Sequence, residues 1–282
     1  INLVAPSGKR LVYPFEGQIL YRPVHDQKLV DVAKKCGAQY LTKSRVNDIS
    51  ENTVFLKNGK KLDAKIIVGC GGPHDPLRKK FWNEKSLNIA VNFVLMEGDF
   101  KDRVDLYFGS TAPGGYAWMI PKKGGANIGI GIQTRFSKGK SLNSMADEFF
   151  RKFKGVITYK GGGVLPMSGS IRTFTKGNYM LVGDSAGMVL PSNGAGITTA
   201  MIGGRIAGQV IAEHVKSKVA LSKYQKRWNS QMGEVMKYSK RGISWGGMMF
   251  RSPDILINAS FNRLTKPIIW RAITCKPMFG LF

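Results

Sequence analysis

Negative charge is scarce in this chain: 18 Asp and Glu stand against 43 Lys and Arg over 282 residues, a formal net charge of +25. That balance selects for anionic partners, whether phosphorylated ligands, acidic lipid surfaces or nucleic acid, without choosing among them. Cysteine is scarcer. Cys36, Cys70 and Cys275 lie far apart, with no CxxC and no His at metal-ligand spacing. This argues against a zinc site or a disulfide framework and points to a reducing compartment. His25, His74 and His214 are isolated from catalytic partners, so structural or solvated roles are expected of them. No apolar run is long enough to cross a membrane. No G-x-G-x-x-G follows a strand to open a helix; the nearest segment, Gly69-Cys70-Gly71-Gly72-Pro73-His74, ends wrongly and carries a Pro. Internal repeats and low-complexity linkers are also lacking.

What is present is 43% hydrophobic content, enough for a sizeable core and one or two domains. The chain is organised around Tyr179 to Val215. Tyr179 to Val182 has the length and apolarity of a buried strand, and Gly183-Asp184 ends it at a turn. After a loop with Pro191, Asn193-Gly194-Ala195-Gly196 opens a buried helix reaching Val215. A carboxylate at a strand end facing a Gly-rich helix start suits a ligand with sugar hydroxyls and an electron-rich group. A strand, a turn and a core helix whose glycines serve packing alone is the alternative from residue types.

The full pattern G-D-S-A-G-x-x-x-P-x-x-G-x-G-I resembles the second flavin-binding motif of the FAD-dependent oxidoreductases typified by p-hydroxybenzoate hydroxylase. The resemblance implies FAD as cofactor, with Asp184 after Gly183 accepting from a ribityl hydroxyl and Pro191 shaping the loop beside the isoalloxazine. Gly194, Ala195 and Gly196 would bring backbone N–H groups to the flavin N1–C2=O edge. Enzymes of this kind begin with the dinucleotide loop missing here, so a preceding segment is expected, the chain starting at Ile1. Gly71 stands where the superfamily usually has the Asp of G-A-D-G.

Residues 1–22 are expected to be short strands or extended loops, and Asp26 to cap a helix bearing Leu29, Val30, Val32 and Ala33 and ending before Gly37. Arg22 corresponds to a family Arg that contacts the cofactor ahead of a helix; it would hold a pyrophosphate or ribose of FAD, or else is a surface cation. Between Gln39 and Val68 short strands turn at Asn58-Gly59. Residues 87–134 are expected to form a second sheet, and residues 141–154 a helix with Ser141 or Ser144 as cap and Met145, Phe149, Phe150 and Phe153 inward.

The pattern P-x-x-Y-x-W-x-x-P-K…N-x-G-x-G, from Pro113 through Tyr116, Trp118 and Pro121 to Gly131, is similar to that of the geranylgeranyl reductase family. That family includes the archaeal digeranylgeranylglycerophospholipid reductases. Tyr116 and Trp118 share one face of a strand and would form one wall of an apolar cavity, although an aromatic pair in a sheet core fits the same spacing. With Pro121 they are the expected substrate contacts.

The resemblance implies an α/β (α+β) fold: a Rossmann-like FAD-binding domain, incomplete at its N-terminus, an inserted antiparallel β-sheet substrate domain and a helical C-terminal region. The expected division is 1–75, 76–170, 171–215 and 216–282. It implies a reductase that saturates C=C bonds of geranylgeranyl chains in membrane-lipid biosynthesis, using an isoprenoid lipid and an external donor, NAD(P)H or ferredoxin. No residue is assigned as proton donor.

The last segment carries thirteen Lys and Arg against Glu234 and Asp254, interleaved with Trp228, Trp245, Met248, Met249, Phe250, Trp270 and Phe279. It would lie on an anionic membrane, making a cytoplasmic protein peripherally attached, or cap the main body with its charges solvated. Alternatives are a monooxygenase or halogenase, since Trp118-Met119-Ile120-Pro121 approaches W-x-W-x-I-P with Tyr116 in place of its first Trp. A degenerate member without activity is another. From a different class comes a basic nucleic-acid- or lipid-binding protein, although no nucleic-acid motif accompanies the charge and no specific nucleic acid is expected.

Overall fold

The computed structural model describes residues 1–277, with only the helical backbone described over 244–251. The chain is mixed α/β and divides into two compact units, Pro14–Lys65 on the one hand and Ile1–Tyr13 with Ile66–Phe282 on the other. Strands β1 (Asn2–Val4) and β2 (Arg10–Val12) belong to the larger unit.

The smaller unit holds helix α1 (Arg22–Lys35) and a three-stranded antiparallel sheet of β3 (Val46–Ser50), β4 (Thr53–Leu56) and β5 (Lys61–Asp63). Helix α1 starts four residues before the expected cap. Pro23 sits in its first turn, where the missing N–H would have had no partner. Asp26 is therefore one turn inside the helix and accepts from Arg22 Nε at 3.0 Å and Nη2 at 2.8 Å. The β4–β5 turn has Gly59 at φ +83°, with Lys60 N donating to Asn58 Oδ1 at 3.1 Å.

The larger unit continues with β6 (Ile67–Gly69), α2 (Pro76–Phe81), β7 (Asn88–Glu97), β8 (Asp105–Tyr107), β9 (Tyr116–Lys122) and β10 (Gly125–Ile132). Helix α3 (Leu142–Phe150) and β11 (Val156–Pro166) follow. The large sheet has the order β11-β7-β10-β9-β8-β1-β2. Residues 2–12, grouped by sequence with the cofactor-binding remainder, thus extend the sheet expected at 76–170. Burial explains it: Leu3, Leu11 and Tyr13 share a core with Phe108, Ile257 and Phe261.

Strand β10 shows why the sheet has two unlike faces. Ala126, Ile128, Ile130 and Ile132 are fully buried, packing with Met145, Phe149 and Phe150 of α3. Alternation sends Gly125, Asn127, Gly129 and Gly131 to the other face. Ser141 caps α3, its Oγ accepting from Ser144 N at 3.1 Å. The helix ends at Phe150, short of 154, yet Phe153 still packs on the same core.

A second sheet orders β12 (Thr175–Lys176), β13 (Tyr179–Leu181) and β6, with β13 parallel to β6. Helix α4 (Ile197–Ser217) follows the loop after β13, and α5 (Lys223–Arg251) packs on it. Trp228, 1% exposed, meets Phe174 edge-on at 6.1 Å. Helices α6 (Asp254–Ser260) and α7 (Lys266–Ile273) complete the chain, with Trp270 stacked on Tyr13 at 4.5 Å. Trp228 and Trp270, expected at a membrane interface, face inward. The side chains of Trp245, Met248, Met249 and Phe250, and all of Phe279, lie outside the described residues. Among the described residues no helix is long and apolar enough to cross a membrane.

Candidate functional site

Strand β13 runs out into a tight turn, Gly183–Ala186, that presents Asp184, and Gly183 takes φ +66°. The turn is bolted to the end of β6. Ser185, fully buried, donates its hydroxyl to Gly69 O at 2.5 Å and Val182 O at 2.7 Å. Val182 N donates to Gly69 O at 3.0 Å. Arg78, 5% exposed on α2, donates Nη1 to Ser185 O at 2.8 Å and Nη2 to Glu84 O at 3.4 Å.

The position expected to carry an Asp is closed by another carboxylate. Asp75 caps α2 through Leu77 N at 2.8 Å and Arg78 N at 3.2 Å, and also accepts from Gly71 N at 2.6 Å. A Cβ at Gly71 would stand 2.8 Å from Asp75 Oδ2. With Asp75 in place, glycine is the residue that fits.

Asp184 is different: among the described residues no donor reaches its carboxylate, and burial pushes its pKa up. A Cβ on Gly196 would lie 3.4 Å from Asp184 Oδ1, so the carboxylate faces the start of α4. That start has no side-chain cap. The amides of Gly196, Ile197 and Thr198 find no acceptor among the described residues. An acceptor beside uncapped donors at a helix N-terminus fits a ligand bearing both hydroxyls and an electron-rich edge. These residues therefore fit the ribityl and N1–C2=O parts of a flavin.

The loop between turn and helix is held from three sides. Ser192 N donates to Ser239 Oγ of α5 at 3.0 Å, Asn193 Nδ2 donates to Ile273 O at the end of α7 at 2.9 Å, and the Tyr116 hydroxyl donates to Asn193 O at 2.6 Å. Pro191 is buried beneath it. Two of the three amides expected to face a flavin are used inside the loop. Gly194 N donates to Leu190 O at 2.8 Å, and Ala195 N to Asn193 Oδ1 at 2.9 Å. The donors left over are shifted toward Gly196 and the first turn of α4.

Tyr116 and Trp118 do share a face of β9, their rings 5.9 Å apart, and Trp118 Nε1 donates to Asn127 Oδ1 at 2.7 Å. Burial pushes the Tyr116 phenol up to about 12, so it stays a donor at ordinary pH. Pro121 is not with them. It pairs with Ala126 on the α3 face, five residues from Tyr116 and so on the opposite side of the sheet. Arg22 lies in the smaller unit, in an i,i+4 ion pair with Asp26. Sequence reading missed Asn193 as a tie between strand, loop and helix, and Arg78 as a support of the Asp184 turn. Their partners are distant in sequence. Among the described residues no His, Cys, Asp and Glu cluster could hold a metal.

Comparison with known proteins places residues 86–164, which make up most of the large sheet, in the geranylgeranyl reductase catalytic domain. A digeranylgeranylglycerophospholipid reductase of Methanosphaera stadtmanae is 31% identical over 93% of this chain and 74% of its own length. Those of Methanococcoides burtonii and Methanosarcina acetivorans are 31% and 32% identical over 82% of this chain, and 64% and 65% of theirs. The chain thus spans roughly two thirds to three quarters of these relatives. Among solved structures, a geranylgeranyl bacteriochlorophyll reductase-like protein from Thermoplasma acidophilum matches with TM-score 0.77 and 24% identity, over 94% of this chain and 74% of that one. A probable FAD-dependent monooxygenase from Pseudomonas aeruginosa matches with TM-score 0.63 at 14% identity, over 92% and 80%. Both share the fold.

Proposed function

The chain belongs to the geranylgeranyl reductase family, among the digeranylgeranylglycerophospholipid reductases, and from that membership we propose that it is an FAD-dependent reductase saturating C=C bonds of geranylgeranyl chains on membrane lipids. The observation that carries the reading is Asp184: a half-buried carboxylate without a donor among the described residues, set beside the uncapped amides of α4. FAD bound there would supply the hydride for an alkene carbon. Asp184 and Gly183 would hold the ribityl chain, Gly196 and the first turn of α4 the N1–C2=O edge, and Pro191, Gly194 and Ala195 would shape the loop. Tyr116 and Trp118 would keep water from the alkene. Residues 171–215 then serve the cofactor and 76–170 the lipid, with the electrons coming from an external donor, NAD(P)H or ferredoxin.

Contact with an anionic membrane belongs to the same reading. Its support is the α6–α7 segment, where Leu264 is 86% and Ile255 75% exposed, with Arg263 and Lys276 also exposed. Insertion of aliphatics next to cations is how peripheral proteins hold acidic bilayers. Salt-sensitive sedimentation with anionic vesicles is expected, and none with neutral ones.

The deciding experiment is the visible spectrum of the protein after incubation with FAD and desalting. Retained flavin that is lost in Asp184→Ala supports the reading. Failure of the protein, alone and as the complete gene product, to retain any flavin would overturn it.

A further inference from the structure

The sheet face turned away from α3 is built by a regular exchange of large and absent side chains. Register places Gly161 of β11, Phe93 of β7, Gly129 of β10 and Trp118 of β9 in one cross-strand row. The next row toward the Asp184 loop is Gly163, Val91, Gly131 and Tyr116. The next row away from the loop is Tyr159, Leu95, Asn127 and Ile120. Residues opposite one another in a ladder share a face, so these rows form one surface. None of these positions carries a formal charge in a chain of net charge +25.

The glycines decide how the aromatics lie. A Cβ on Gly129 would run into the indole of Trp118, and one on Gly161 would stand 2.6 Å from Phe93 Cζ. Each ring therefore lies across its glycine, flat on the backbone. A Cβ on Gly163 would meet nothing within 4 Å, so the surface is open there. The surface joins the loop: a Cβ on Gly194 would come within 3.1 Å of Leu165 Cδ2 and 3.3 Å of the Tyr116 hydroxyl. Along β11, Leu165 to Tyr159 spans roughly 20 Å of extended strand. A flat, uncharged trough of that length excludes headgroups and ionic partners, because a charge laid on it would lose its water without compensation. It suits a slender apolar chain with no polar handle.

We propose that this face seats the isoprenoid chain along its length, and that Phe93, held flat by Gly161, with Gly129 beneath Trp118, determines the chain length accepted. The proposal rests on the isoprenoid-reductase reading above and names the chain's path. A short prenyl chain starting at the loop covers the Tyr116–Val91 row. Only a longer one reaches Phe93, then Leu95 in the outer row and Tyr159, whose ring lies 5.9 Å from that of Phe93.

The test uses the full chain and measures affinity for the geranylgeranyl and geranyl ethers of glycerol by calorimetric titration, following in parallel the Trp118 emission that Trp118→Phe removes. The unaltered protein should prefer the geranylgeranyl ether about tenfold, about 1.4 kcal/mol. Phe93→Ala should remove that preference while changing geranyl affinity less than about twofold, and Phe93→Leu should retain most of it. Gly129→Ala should lift the indole, alter its emission and weaken the longer ether. Thermal melts would separate these effects from misfolding. Unchanged length preference in folded Phe93→Ala overturns the proposal. If that variant does not fold, an unaltered protein whose Trp118 emission ignores the geranylgeranyl ether overturns it equally. Binding of no prenyl ether at all would instead sink the isoprenoid reading itself, with flavin retention still deciding the cofactor.

Discussion

The Tyr116 hydroxyl donates to the Asn193 carbonyl oxygen at 2.6 Å, joining β9 to the loop between the Asp184 turn and α4. Asn193 uses its side chain at the same time, Oδ1 on Ala195 N and Nδ2 on Ile273 O. Strand, loop and the end of α7 are thereby held at one residue. Tyr116→Phe keeps the ring and leaves a part-buried carbonyl without its donor, a loss of about 1–3 kcal/mol. A lowered midpoint in thermal denaturation is expected, together with weaker flavin retention. In the unaltered protein, phenolate absorbance from Tyr116 should appear only as pH approaches about 12.

Asp184→Asn should separate stability from binding. Burial raises the Asp184 pKa in the folded state, so the carboxyl favours folding when protonated and that contribution is lost as pH rises through the folded value. At neutral pH the flavin-free Asn variant should therefore melt higher than the parent. The difference should shrink on acidification below the ordinary Asp range, about 3.9. The same variant should bind flavin at least about tenfold more weakly, about 1.4 kcal/mol, by titration.

Arg78→Lys should act on the cofactor from a distance. Arginine's fork reaches Ser185 O and Glu84 O together, whereas a lysine ammonium offers a point charge that cannot repeat both contacts. Loosening the turn that presents Asp184 should weaken flavin affinity about tenfold, about 1.4 kcal/mol. Circular dichroism should show the overall fold retained.

Trp228→Ala tests the part of the C-terminal region that faces inward. With 1% exposure and an edge contact to Phe174, its loss should cost about 3–5 kcal/mol in denaturant unfolding. Vesicle binding by the folded fraction should be unchanged, in contrast to Leu264→Glu, which should reduce it.

Legibility in the sequence followed separation along the chain. The turn at Gly183-Asp184 and the helix after Gly196 depend on neighbours, and their residues announce them. The pairing of Leu3 with Leu106 and the bond from Tyr116 to Asn193 link residues far apart, which no local pattern records. Two misreadings had a usable signal. Pro23 marks the first turn of α1 better than Asp26 does. Simple alternation from Tyr116 sends Pro121 to the other side of the sheet. The Gly71 substitution became intelligible only once Asp75 was seen to reach back to its amide.

Strand β10 has little spare room. On one side Ile128, Ile130 and Ile132 are walled in by α3, on the other Trp118 lies over Gly129, and a Cβ on Gly125 would collide with Met96 O. Asn127, the polar exception, is engaged by the Trp118 indole. A lineage that drifts freely in its loops would have to carry this strand almost unaltered, so β10 works as the ruler against which the rest of the sheet is cut.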